Sequence, residues 1–87
     1  MPSRYQPLGD YLAALPAATL SVTLALGTIE AILCAPLPTS AWTMGWWTNV
    51  AAYPHARAWL VAGWRVTERH LRAEPPTVTF TRAASTP

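Results

Sequence analysis

Eighty-seven residues suffice for one domain and are too few for two. A chain this short buries only about 60 to 65% of the surface it exposes when unfolded, so large side chains must fill its core if it is to hold one shape. A net charge of +2 permits a polyanion partner without demanding one, and a charged fraction of 11%, well under the usual quarter, leaves a surface inclined to stick. The single cysteine, Cys34, excludes an internal disulfide; a small, buried, apolar role is expected for it.

In chain order, Leu8, Tyr11, Leu12 and Leu15 recur at i, i+3, i+4 and i+7. With Pro7 suited to a first helical turn, they predict a short amphipathic helix that Pro16 ends. Residues 11–29 carry no charge and invite a membrane test, because a span needs about 20 apolar residues. Pro16, Thr19, Ser21, Thr23, Gly27 and Thr28 dilute the run, and Asp10 and Glu30 close it, so no span is expected. Arg4 alone does not make the basic start of a leader peptide, and the small-residue site near Ala41 comes late. Bulky Leu33 before Cys34 speaks against a lipid anchor. A cytoplasmic location is the expectation that remains.

Val22, Leu24 and Leu26 alternate with Thr23 and Ala25, as a half-buried strand requires, and Gly27 breaks the pattern. Ile29, Ile32 and Leu33 then return to helical spacing, with Thr28 as the expected N-cap and Pro36 and Pro38 as the stop. Residues 40–44 suit a turn or two of helix, and residues 49–53 a connector. Pro54 opens a third helix over 55–62, with Ala56, Trp59 and Leu60 inward and Gly63 as its left-handed stop. Residues 64–71 read as a strand in which Val66 and Leu71 share a face only across a bulge. Residues 72–76 turn the chain, and Val78 and Phe80, alternating with Thr77, Thr79 and Thr81, form the clearest strand. The last two strands pair as an antiparallel hairpin, and the first extends the sheet. The reading is an α+β fold, a three-stranded antiparallel sheet with short helices packed on one face. It makes one domain of residues 1–82, followed by a tail over 83–87 with nothing to pack against.

All five tryptophans fall within residues 42–64. Such indole surface belongs in a core or a contact, and each N–H needs an acceptor once buried. Trp59 and Trp64 have core spacing. Adjacent Trp46 and Trp47 cannot point the same way in a regular element, so one packs inward and the other shows at the surface. Asn49 either caps the following turn or reads a ligand.

Chemistry-bearing patterns are few. Glu30, Cys34, His55, Glu68 and His70 match no zinc or metal-hydrolase spacing, and the four glycines form neither a nucleophile elbow nor a phosphate loop. No cofactor, metal or catalytic residue is assigned. The six positive side chains are all arginine, through either a GC-rich genome or selection for forked phosphate contacts. Arg65 and Arg69 have the same strand parity and are expected together on the outer sheet face, with Arg57 on the adjoining helix and Arg82 ending the last strand. Together with Trp46, Trp47 and Asn49 they form the expected contact surface, gripping phosphate and stacking on bases of DNA or RNA. The bland alternative is a solvated face partly neutralised by Glu68 and Glu74. The function expected is thus a non-catalytic interaction module, a nucleic-acid-associated accessory protein. The alternative is a structural or assembly protein whose exposed indoles meet a protein partner or another copy.

Several stretches together resemble a family of small uncharacterised bacterial, archaeal and phage domains. They are Tyr-x-Pro-Leu-x-x-Tyr-Leu at 5–12, Val-Thr-Leu at 22–24, Ile-Glu-x-Ile-Leu at 29–33, Leu-Pro-x-Ser-Ala at 37–41, Trp-Trp-x-Asn at 46–49, Ala-x-x-Trp at 56–59, Ala-Gly-Trp at 62–64 and Val-x-Phe at 78–80. The resemblance covers nearly the whole chain. It implies a domain that stands alone or is joined to nuclease-type domains such as GIY-YIG, and it implies no activity. Three positions depart from the pattern. Trp42 replaces an arginine after Ser-Ala, residues 25–28 replace a polar cap and an acid, and Arg69 replaces an apolar strand residue. If that arginine is the family's phosphate contact, its loss bears directly on nucleic-acid binding.

Overall fold

The computed structural model describes residues 4–83; of the tail expected over 83–87, only Ala83 is described, its N–H donating to Gly63 O at 2.7 Å, and positions 84–87 lie outside the described residues. Helix α1 (Gln6–Ala13) opens with Pro7 in its first turn and buries Leu8 and Leu12. Strand β1 (Ser21–Ala25) leads without a loop into α2 (Leu26–Leu33). Two 3-10 turns, Thr39–Trp42 and Met44–Trp46, carry the chain to α3 (Pro54–Val61), which is followed by β2 (Trp64–His70) and β3 (Thr77–Arg82). The three strands form one antiparallel sheet in the order β1-β3-β2, an α+β architecture as the alternation patterns require.

One sheet face is apolar and the other is hydroxylic. Leu24, Trp64, Val66, Val78 and Phe80 join Leu8, Leu12, Leu26, Ile29, Ala56 and Trp59 in a single core, and Trp47 enters it from the loop after the 3-10 turns. On the opposite face Thr23 and Thr79 share a hydrogen bond between hydroxyls at 2.8 Å, as do Thr67 and Thr81. Trp47, Trp59 and Trp64 are the largest fully buried side chains. Each ring removes about 150–250 Å² from water, a contribution of about 4–6 kcal/mol before ordering entropy is subtracted. Those rings let so short a chain fill a core.

Several local expectations are corrected. The second helix starts at Leu26, not after Gly27, because Leu26 N–H donates to Pro76 O across the sheet end at 3.0 Å. Ala25, extended at φ −69°, ψ 149°, is therefore the N-cap, and Thr28 lies inside the helix. Cys34 is exposed, not buried: it is the helix C-cap, held in the left-handed region at φ 55°. Gly63 does take the left-handed stop, at φ 88°. The bulge in β2 falls between Val66 and Glu68, so that Arg65 pairs with Thr81 but Arg69 pairs with Val78. Arg69 consequently faces the helices and not the outer surface.

Gly9 is what lets α1 and α3 touch. A Cβ at this position would lie 2.6 Å from the carbonyl oxygen of Ala58.

Candidate functional site

The side chains expected to form a contact surface are largely engaged in holding the loop from Trp46 to Asn49 against β2. Trp47 is fully buried, donates its indole N–H to Ala41 O at 2.7 Å, and stacks 5.6 Å from Trp59. Asn49 neither caps a turn nor faces solvent. Its Nδ2 donates to Val66 O at 2.9 Å, while its Oδ1 accepts from Val66 N–H at 2.9 Å and from Trp59 Nε1 at 3.2 Å. Arg69 Nε donates to Trp47 O at 2.7 Å, which ties the loop to the same strand.

Trp46 is half-buried and lies flat on His55, with ring centroids 3.9 Å apart and 6° between planes. Tyr53 stacks on the same imidazole with ring centroids 5.6 Å apart. His55 Nε2 sits 2.7 Å from Trp46 O, so the neutral ring donates there. Burial among these rings lowers the histidine pKa below its ordinary 6.5, and the hydrogen bond to Trp46 opposes the shift only in part.

The arginines do not converge. Arg82 donates from Nε to Thr19 O at 3.1 Å and from Nη2 to Pro16 O at 3.0 Å, with its guanidinium 4.5 Å over the Trp64 ring. It clamps the loop before β1 across the core face. Arg65 is its diagonal neighbour across the β2–β3 pair but projects from the opposite face, and Arg57 stands exposed on α3 beside a hollow of about 240 Å³ shared with α1. The structure brings together Trp46, Trp47, Asn49 and Arg69, and leaves Arg57, Arg65 and Arg82 on separate surfaces.

A different groove presents itself. Trp42 and Met44, 50% and 54% exposed, stand on the two 3-10 turns opposite the end of β2. With His70, Leu71 and Arg72 they line a hollow of about 670 Å³, along which Arg69 also lies. The volume falls within the range of small-ligand and peptide clefts. Arg72 is exposed and has no hydrogen-bond or ion-pair partner among the described residues. The groove therefore joins apolar walls to a free guanidinium. The one hydroxyl in its lining, that of Thr43, donates to Ser40 O at 2.6 Å, and among the described residues no cluster of three His, Cys, Asp or Glu side chains could hold a metal. Sequence reasoning missed the groove because spacing assigns Trp42 neither to the core with Trp59 and Trp64 nor to the contact surface with Trp46 and Trp47. The signal available was that Trp42 and Met44 stand on a short proline-started segment that Gly45 keeps from becoming a longer helix.

No helix among the described residues is long and apolar enough to cross a membrane. No family model, curated protein or solved structure matches the chain.

Proposed function

We propose that the chain is a non-catalytic interaction module that docks a protein segment in the groove of Trp42, Met44 and Leu71. The observation that carries this reading is a half-exposed indole beside an open hollow whose rim bears the unpaired Arg72. Exposed tryptophan and methionine supply the large, adaptable apolar contact on which protein interfaces depend. The chemistry that complements them is an apolar side chain next to a carboxylate, the first for Trp42 and Met44 and the second for Arg72. Selecting peptides from a random display library on the immobilised protein tests this. Selected sequences should pair an apolar residue with Asp or Glu, and Trp42→Ala should weaken them by about 2 kcal/mol, roughly thirty-fold in Kd. Binders indifferent to both Trp42→Ala and Arg72→Ala would remove the groove from the account.

A single-stranded nucleic acid is the second reading. What favours it is that Trp42 and Arg72 line one groove, as base stacking beside a phosphate contact requires. Few free guanidiniums lie there, so the affinity of a short labelled strand should fall only gently with salt, by a slope of about −0.7 for each phosphate held. Anisotropy that stays flat at low salt rejects a nucleic-acid partner.

A further inference from the structure

The sheet has two edges, and the chain treats them differently. Along β2, the Asn49 amide both donates to and accepts from the Val66 backbone, occupying the ladder position that another strand would need. The bulge between Val66 and Glu68 breaks the same edge, and Arg65, Glu68 and Arg69 place charge on it. Bulges, charges and covering loops are the devices by which sheets prevent edge pairing.

β1 has none of them. Ser21–Ala25 contains no charge and no proline, and its register with β3 runs unbroken from Ser21 opposite Thr81 to Ala25 opposite Thr77. The hydrogen bonds at its two ends reveal which peptide groups remain free. Arg82 N–H donates to Leu20 O at 2.8 Å, and Leu26 N–H to Pro76 O at 3.0 Å. In an antiparallel ladder the groups of every second residue face the partner strand, so Leu20, Val22, Leu24 and Leu26 face β3. Ser21 and Thr23 then direct both N–H and C=O to the open edge, and Ala25 its N–H. None of these groups has a hydrogen bond among the described residues outside the ladder and the helix that Ala25 caps.

We infer that β1 is a self-association edge, where two copies pair antiparallel about a twofold axis through Thr23 and double the three-stranded sheet. The strand is complementary to itself in that register. Thr23 meets Thr23 of the second copy, Val22 meets Leu24 on the core face, and Ser21 meets Ala25 on the hydroxylic face. Apolar groups oppose apolar groups, and no charge is opposed or buried. The free Thr23 N–H and C=O satisfy those of the second Thr23, and each Ala25 N–H finds a Ser21 C=O, which is the reciprocal contact that a twofold demands. The exposed residues of α2, directly after β1, are Gly27, Thr28 and Ala31, all short and uncharged, and the Glu30 carboxylate is bonded to Leu37 N–H at 2.8 Å. Leu20, 67% exposed at the mouth of the strand, gains cover on pairing. With a net charge of +2 per chain, repulsion between copies is slight.

Light scattering across a dilution series should show a mass that doubles as concentration rises. Thr23→Lys retains the backbone but opposes two cations on the axis, and should weaken association roughly tenfold or more with unchanged far-UV circular dichroism. Thr67→Lys, on the blocked edge, should leave it intact. In the unmodified protein, hydrogen exchange at the Thr23 amide should slow as concentration rises, a readout that needs no variant to fold. A monomer at every concentration, a Thr23→Lys protein that associates like the parent, or a Thr67→Lys protein that alone dissociates would overturn the inference. So would a Thr23 amide protected only after a different polypeptide is added, which would assign the edge to a foreign strand.

Discussion

Replacing Asn49 by alanine removes one side chain and strands three partners. Val66 loses an acceptor for its N–H and a donor to its C=O, both at 2.9 Å, and the fully buried Trp59 loses the acceptor 3.2 Å from its indole nitrogen. Leaving a buried polar group unpaired costs about 1–3 kcal/mol. The Val66 groups lie at a sheet edge that water reaches once the amide is gone, so the low end applies, and the three together come to roughly 3–4 kcal/mol. A chain of 87 residues has a total stability of about 4–13 kcal/mol, of which this is a large share. Urea unfolding followed by tryptophan fluorescence reads it directly: at a slope of roughly 1 kcal/mol per molar, the midpoint should fall by about 3 M. Thr48→Ala, one residue away with no side-chain hydrogen bond, should stay within about 0.5 kcal/mol of the parent. If Asn49→Ala unfolds at the parental midpoint, its amide is not holding the edge of β2, and the assignment of Asn49 to structure fails.

Two further outcomes follow from packing and titration. Gly9→Ala drives a methyl group into the Ala58 carbonyl, and because that oxygen belongs to α3 it cannot swing aside. The overpacking cost exceeds the gain of about 1 kcal/mol in helix propensity, so a net loss of about 1–2 kcal/mol should lower Tm by roughly 5–10 °C; a Tm at or above the parent's would contradict the close approach. For His55, burial depresses the folded-state pKa, so the unfolded chain takes up the proton first. Stability from this residue should be complete above about pH 6.5 and decline as pH falls through the lowered folded value. Denaturation midpoints from pH 7.5 to about 5 should show that decline in the parent and a flatter profile in His55→Gln; equal slopes would separate His55 from the effect.

The elements most legible in the sequence are those fixed by local periodicity. Leu8 and Leu12 lie on the buried stripe of α1, Val78 and Phe80 on the core face of β3, and Trp59 and Trp64 in the core, each where spacing puts it. What local reading lost was decided across long separations. Leu26 turns into helix because Pro76 accepts its N–H, a contact between residues 50 apart in the chain, and no propensity within residues 25–28 encodes it. Asn49 pairs with a residue 17 positions away, which its sequence neighbours do not announce. Arg69 is more instructive. The parity conflict between Val66 and Leu71 already required a bulge, and carrying that bulge through places Arg65 and Arg69 on opposite faces; counting by twos across the break does not. The expected contact surface dissolved there, since Arg69 turned inward to the Trp47 carbonyl and Arg82 to the loop before β1. Trp42 could not be told from the other indoles by spacing, because its exposure depends on where the 3-10 turns settle against β2.

The five rings divide, on this account, into a sealed scaffold and a presented edge, and hydrogen exchange of the indole N–H groups by NMR tests the division most directly. The Trp47 and Trp59 protons, bonded to Ala41 O and Asn49 Oδ1, and the buried Trp64 proton should exchange orders of magnitude more slowly than that of Trp42. A Trp42 indole as protected as Trp47, or a Trp47 indole exchanging as freely as Trp42, would contradict it.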